Sequence, residues 1–184
     1  MSLRDKWISI FYKAATSSHK IRSLLTPVGA TLFFTITAIF IVTSFWLDRF
    51  LELPKLLPTL WSIFVSVPIL AIGLFLTLWS ILHFVKVKGT PVPFNPPPKM
   101  VTTGPYGHIR NPMLTGIFIL LFGLGILFNS FALVFIFTPI FILLNVLELK
   151  AIEEPELEKR LGKEYAEYKK KVPMFTPRLK VKSK

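Results

Sequence analysis

Long uncharged stretches alternate with short charged blocks along this chain, and the alternation predicts its elements. Twenty-five residues without a charge separate Arg22 from Asp48, 30 separate Lys55 from Lys86, and 37 separate Arg110 from Glu148. A helix needs roughly 20 apolar residues to cross hydrocarbon, so the first two stretches predict one crossing each, at 27–47 and 59–85. The third is too long for one ordinary crossing and carries Asn129 and Ser130 near its middle. It predicts two short helices, 112–128 and 131–148, joined by a tight turn. The predicted fold class is therefore all-α integral membrane: a single domain over 1–184 with four transmembrane helices.

The polar blocks have patterns of their own. Residues 1–26 form a basic arm, and 86–111 a loop whose segment Gly89–Pro98 (GTPVPFNPPP) holds five prolines in ten residues. Such a segment is held extended and cannot be helical, so it predicts a stiff strap along the membrane surface. Thr102-Thr103-Gly104-Pro105 predicts a turn, and Pro112 suits the first turn of a helix starting near Asn111. In the block 149–184, beyond Pro155, Leu157, Leu161, Tyr165, Tyr168 and Val172 repeat at steps of four, four, three and four, marking the apolar face of an amphipathic helix. Acidic residues gather at its start and Lys169, Lys170 and Lys171 at its end, which complements the helix dipole. That helix reads either as a segment lying on the surface or as a lid over a site beneath it, and Val172-Pro173 ends it.

Composition agrees with a membrane class: 52% of the residues are hydrophobic, and charge is confined to ends and loops. The cations also orient the chain. The N-terminal arm holds five Lys and Arg, the loop from Lys86 to Arg110 four, and the tail from Lys150 eleven, against two around Arg49 and Lys55 and none at Asn129. By the positive-inside rule both termini and the proline-rich loop are expected on the cytoplasmic side of the cell membrane. The net charge of +12 fits either anionic headgroups or nucleic acid. Its distribution follows topology rather than one face with interleaved aromatics, so the bilayer is the expected partner and nucleic acid is not. The first apolar stretch exceeds the core of a signal peptide and no small-residue cleavage site follows, so it is expected to remain as an anchor. The absence of cysteine excludes disulfides, thiolate nucleophiles and Cys-based zinc. His19, His83 and His108 lack metal-ligand spacing, and no metal is expected. No phosphate-binding glycine loop is present; Gly123 and Gly125 fall inside a span and read as helix-packing positions.

Candidate chemistry collects in two blocks, Gly104–Gly116 (GPYGHIRNPMLTG) and Glu153–Pro177 (EEPELEKRLGKEYAEYKKKVPMFTP). A hairpin of two spans between them predicts that they meet on one side of the membrane. Tyr106, His108 and Arg110 alternate on the approach to a helix start, which would aim them together if that approach is extended. The positive end of that helix favours an anionic group. Each residue has a plainer reading as well: Tyr106 in an interfacial aromatic belt, His108 in a solvated loop, Arg110 as a snorkelling anchor. Glu148, Glu153 and Glu154 stand at the membrane boundary, where an ionised carboxylate is costly unless paired or hydrogen-bonded.

Those residues carry a resemblance. GPYGHIRNPMLTG is similar to the G-x-Y-x-x-x-R-H-P-x-Y-x-G signature of the isoprenylcysteine carboxyl methyltransferase and phospholipid methyltransferase superfamily. The Glu153-Glu154 pair followed by LGKEYAEYKKKVP resembles that family's C-terminal pattern. Together they cover roughly the last 90 residues. The resemblance implies methyl transfer from S-adenosylmethionine to a lipophilic small molecule or lipid, as carboxylate O-methylation or amine N-methylation. It implies a cofactor pocket contacted by Met100, Val101, Tyr106, His108, Asn111, Pro112, Met113, Leu114, Glu153 and Glu154, with Arg110, Asn111 and Glu153 as the catalytic set. Asn111 stands where the signature usually has His, Leu114 where it usually has Tyr, and Leu149 where isoprenylcysteine enzymes carry Arg, which implies an acceptor other than a prenylated cysteine. A second resemblance, to NADPH-dependent sterol-type reductases, rests on RxPxxxG at Arg110–Gly116 and GxxYxxYxxxVP at Gly162–Pro173. A non-catalytic membrane subunit is the third reading.

Overall fold

The structure, a computed structural model, describes residues 3–86 and 100–176. The expected proline strap at Gly89–Pro98 and the basic tail beyond Arg178 lie outside the described residues. Within those residues all regular structure is helical: α1 (Leu3–Ala15), α2 (His19–Phe50), α3 (Thr59–Lys86), a 3-10 turn (Gly104–Gly107), α4 (Pro112–Leu127), α5 (Leu133–Leu161) and α6 (Lys163–Lys171). Helices α2, α3 and α5, with 32, 28 and 29 residues, are long and apolar enough to cross a membrane. They turn large apolar side chains outward, as Leu60, Phe64 and Phe75 do on α3. The chain is a multi-pass membrane protein. Helix α4 is shorter, 16 residues or ~24 Å of rise, against a hydrocarbon thickness of about 30 Å.

Three boundaries differ from the sequence reading. The N-terminal arm contains a helix, α1, and α2 already begins at His19 with Pro27 carried inside it. The fourth predicted helix does not stop at 148: α5 runs on to Leu161. The apolar face expected on one C-terminal helix is divided by Gly162, whose φ of +60° is a left-handed conformation that a side chain disfavours. Leu157 and Leu161 from α5 nevertheless pack with Tyr165, Tyr168 and Val172, so the face survives the break.

Helices α3 and α4 form the tightest pair, running antiparallel. On α3 the buried positions Ser62, Ser66, Gly73 and Ser80 make a stripe of small residues. The serine hydroxyls donate to carbonyls of their own helix, which removes the cost of burying them. On α4, a methyl at Gly116 would meet the Thr77 hydroxyl and the Gly73 carbonyl, and one at Gly123 would meet Leu70. Small residues here let two backbones approach closely, which is how helices associate without a hydrophobic driving force. Helix α2 packs antiparallel against α5 through an aromatic cluster in which Phe33 and Phe40 contact Phe141, itself edge-on to Phe118 of α4.

The α4–α5 turn is closed by local chemistry. Asn129 adopts φ +53° just past the end of α4, a position where asparagine tolerates the left-handed region. Its side-chain oxygen accepts from the Leu57 backbone N–H at 3.0 Å. Ser130 Oγ accepts from Leu133 N–H and Asp48 of α2 from Ala132 N–H, so two otherwise unbonded donors at the start of α5 are capped.

Helix α5 contains two wide π turns, Leu133–Phe137 and Leu149–Glu153. Each precedes a proline, Pro139 or Pro155, which cannot donate to the carbonyl four residues earlier. For Pro155 that carbonyl belongs to Ala151, and it accepts instead from Arg4 Nε of α1 at 3.1 Å. A π turn lengthens the bonding step to five residues. Glu148 and Glu153, five apart, are thereby brought onto one side of the helix, close enough to interact electrostatically.

Candidate active site

The site grows from the 3-10 turn that precedes α4. Gly104 takes φ +59°, and a Cβ there would run into the His83 ring. With glycine in place, the turn sits against α3: His83 Nε2 and Thr103 Oγ1 are 3.0 Å apart, and the buried Tyr106 ring stands edge-on to Phe84 at 4.9 Å. The Tyr106 hydroxyl lies close to Ser80 of α3. Its backbone carbonyl accepts from the Tyr168 hydroxyl of α6 at 2.7 Å. Burial pushes the Tyr106, Tyr165 and Tyr168 hydroxyls above the ordinary phenol range, so all three stay protonated and able to donate.

Arg110 is the hub of the site. Its Nη1 donates to the carbonyls of Lys169 and Val172, both at 2.9 Å, and its Nη2 to Glu154 Oε1 at 2.6 Å. Glu154 is 5% exposed, and its other oxygen receives Lys169 Nζ at 2.6 Å. Hydrogen bonding to Glu154 raises the Lys169 pKa, holding the ammonium charged. A buried carboxylate flanked by two cations is the condition under which its ionised form is tolerated. The backbone continues the clamp, since the N–H groups of Arg110 and Asn111 donate to the carbonyls of Pro173 and Met174. Phe175 then packs on Phe118 at 5.5 Å between ring centres. The segment after α6 is thus strapped across the start of α4.

The two polar blocks meet, and they bring some of the expected residues together and not others. Tyr106, Arg110, Glu153 and Glu154 converge: Glu153 is an electrostatic neighbour of Tyr106 and Tyr165. Arg110 pairs with Glu154, whereas Glu153 has no ion pair among the described residues. Asn111 stands at the N-cap of α4 without a side-chain capping bond, so its amide is available to another partner. Pro112 is buried in the first turn, and Met113 and Val101 are half-buried. Met100 packs on the Tyr165, Tyr168 and Val172 cluster. His108 is exposed. Leu114 turns away into the apolar cluster of Phe118, Leu121 and Phe141. Leu149, at the position where an arginine occurs in isoprenylcysteine enzymes, is 2% exposed and belongs to the packing of α5.

Sequence reasoning missed Lys169 and the Pro173–Met174 carbonyls. Lys169 lies in a run of three lysines and carries no distinguishing signal. The carbonyls are backbone groups that no side-chain pattern reports.

One donor in the hub has no protein partner. Arg110 Nε is buried without a hydrogen bond, on a side chain only 9% exposed. Such a group costs about 1–3 kcal/mol unless it is met. It lies beside the first turn of α4, whose N–H groups have no helical acceptors. An anionic or hydroxyl oxygen suits that corner.

Among known proteins, the model of a family described as phospholipid methyltransferase matches residues 61–164, more than half of the chain. The match runs from α3 to the start of α6 and includes Tyr106, Arg110, Glu153 and Glu154. No curated protein and no solved structure matches.

Proposed function

The chain belongs to the phospholipid methyltransferase family, and we propose that it transfers a methyl group from S-adenosylmethionine to a lipophilic acceptor at the Arg110 centre. In this reading α4 is the fourth crossing, and both termini and the site face the cytoplasm. When bound, the cofactor supplies an electrophilic methyl group on a sulfonium, together with a carboxylate, an ammonium and ribose hydroxyls. The residues present fit those groups. Unpaired Glu153 suits the ammonium or the ribose hydroxyls, and the Tyr106 ring forms a wall. The orphaned Arg110 Nε–H, with the α4 helix start and the uncapped Asn111 amide, suits the carboxylate.

The observation that carries the reading is the buried, unpartnered Nε of Arg110 beside a helix start, on a guanidinium whose Nη2 meets Glu154 of α5. The rest of the guanidinium is already engaged, so Arg110 both clamps the fold and presents one donor to the ligand. The residues hold and orient two reactants at the membrane surface, where alignment at ~3–3.5 Å contributes much of the acceleration of such a transfer. No side-chain nucleophile is needed.

The test is calorimetric titration of the detergent-purified protein with S-adenosylmethionine, S-adenosylhomocysteine and NADPH. Saturable binding of the first two is expected, and binding of NADPH alone overturns the reading in favour of a reductase. Glu153→Gln is expected to weaken S-adenosylhomocysteine at least tenfold, about 1.4 kcal/mol. Unchanged affinity in a folded variant removes Glu153 from the site.

A further inference from the structure

Helix α1 presents different stripes to different surroundings. Ile8, Phe11 and Tyr12, half-buried, and the buried Ala15 recur at helical spacing and form the side that meets the bundle, where α1 lies along α5 between Leu149 and Leu161. Leu3, Trp7 and Ile10, at steps of four and three, form a second stripe, and they stay 74%, 46% and 52% exposed. Lys6 and Lys13, seven apart and both exposed, flank that stripe on the side away from α5.

The level of α1 is fixed from two directions. The part of α5 beside it passes from an apolar run into EPELEKRL, whose charges mark where that helix leaves hydrocarbon. Only residues 16–18 separate α1 from the membrane helix α2. The Thr16 and Ser17 hydroxyls donate to the Tyr12 and Ala14 carbonyls and close the end of α1 there. An apolar stripe with a tryptophan at that level is covered by the bilayer interface. The charge sets which lipid suits it: from Leu3 to Arg22 there are five Lys and Arg against one acid, Asp5. Each basic residue near an anionic surface strengthens attachment about fivefold.

The same helix grips the second π turn. Arg4 Nε donates to the Ala151 carbonyl at 3.1 Å, and the Lys159 ammonium sits 4.5 Å from the centre of the Tyr12 ring. One contact precedes Pro155 and the other follows it, with Glu153 between them.

We propose that α1 is a surface helix that reads the charge of the leaflet: anionic lipid holds Leu3, Trp7 and Ile10 in the interface, and the docked helix braces the turn that carries Glu153. The inference goes beyond the methyl-transfer reading and needs no part of it.

The test is hydrogen exchange, followed by mass spectrometry, of the full-length protein in nanodiscs holding one copy each. The lipid is either dioleoylphosphatidylcholine alone or an equal mixture with dioleoylphosphatidylglycerol. Peptides within residues 3–15 and 149–161 are expected to exchange about tenfold more slowly in the mixture, with α3 unaffected. Lys6→Gln combined with Lys13→Gln should erase the difference between the two lipids in both segments, and so should Leu3→Ser combined with Trp7→Ser. Arg4→Met cuts the brace but spares the surface stripe, so the lipid dependence should persist in 3–15 and vanish in 149–161. Wild-type exchange in α3 shows that each variant is folded. Equal exchange of 3–15 in the two lipids overturns the proposal, as does full lipid dependence in either double variant. A lipid effect in the wild type that never reaches 149–161 overturns the brace. Protection of 3–15 that appears only in discs holding two copies assigns the stripe to a second chain and overturns the lipid assignment.

Discussion

Replacing Arg110 with alanine tests the clamp most directly. The variant loses two bonds to the Lys169 and Val172 carbonyls and the 2.6 Å contact with Glu154. Removing one partner of a buried ion pair costs about 3–5 kcal/mol because a charge is left uncompensated. Glu154 keeps Lys169 at 2.6 Å, so the expected loss falls at the low end, about 3 kcal/mol, or roughly a 150-fold rise in opening. The loss is local, since Arg110 ties α6 and the strap to the start of α4. Hydrogen exchange measured by mass spectrometry in detergent should therefore accelerate about 100-fold in peptides covering residues 163–176, with α3 unaffected. Arg110→Lys should lie between the two, because one ammonium cannot reproduce the planar fork. In a Glu154→Gln background the cost of Arg110→Ala should fall by about 1.5–3 kcal/mol, the coupling expected of a charged hydrogen bond. Wild-type exchange in Arg110→Ala, or an equal loss in both backgrounds, refutes the assignment of Arg110 as the clamp.

Three further outcomes follow from single contacts. Tyr168→Phe removes the buried donor to the Tyr106 carbonyl and should cost about 1–2 kcal/mol; denaturant unfolding in detergent at the wild-type midpoint would show that the bond is not formed. Gly116→Val forces the Thr77 hydroxyl and Gly73 carbonyl aside and should destabilise the α3–α4 pair by about 1–3 kcal/mol, read in the same assay, whereas a neutral result would mean that the helices are not in backbone contact there. Pro155→Ala restores an N–H able to bond the Ala151 carbonyl, so the wide turn should tighten and α5 gain stability. If that turn is what places Glu153, S-adenosylhomocysteine affinity should fall at least threefold as the melting temperature rises; unchanged affinity in the stabilised variant would detach the π turn from the site.

What the sequence made legible and what it hid divide along a physical line. Hydrophobic length and cation placement depend on the solvent, so the membrane class, the helical architecture and the tight turn at Asn129 and Ser130 are readable from composition and spacing alone. The convergence of Gly104–Gly116 on Glu153–Pro177 follows from the same hairpin logic. The register inside each element does not, because it depends on backbone bonding that side-chain patterns do not encode. Pro155 reads as the start of a new helix, since proline suits a first turn. In the fold it lies within one continuous helix, where the missing N–H is absorbed by a π turn and the freed carbonyl of Ala151 is taken up by Arg4. That choice decides the chemistry: it turns Glu154 onto Arg110 and leaves Glu153 unpaired beside Glu148. A regular α-helix would set residues five apart on different faces and separate the two carboxylates. The proline that marks a boundary in the sequence thus works in the fold as a register device, which places one acidic side chain in the clamp and leaves its neighbour without an ion pair among the described residues.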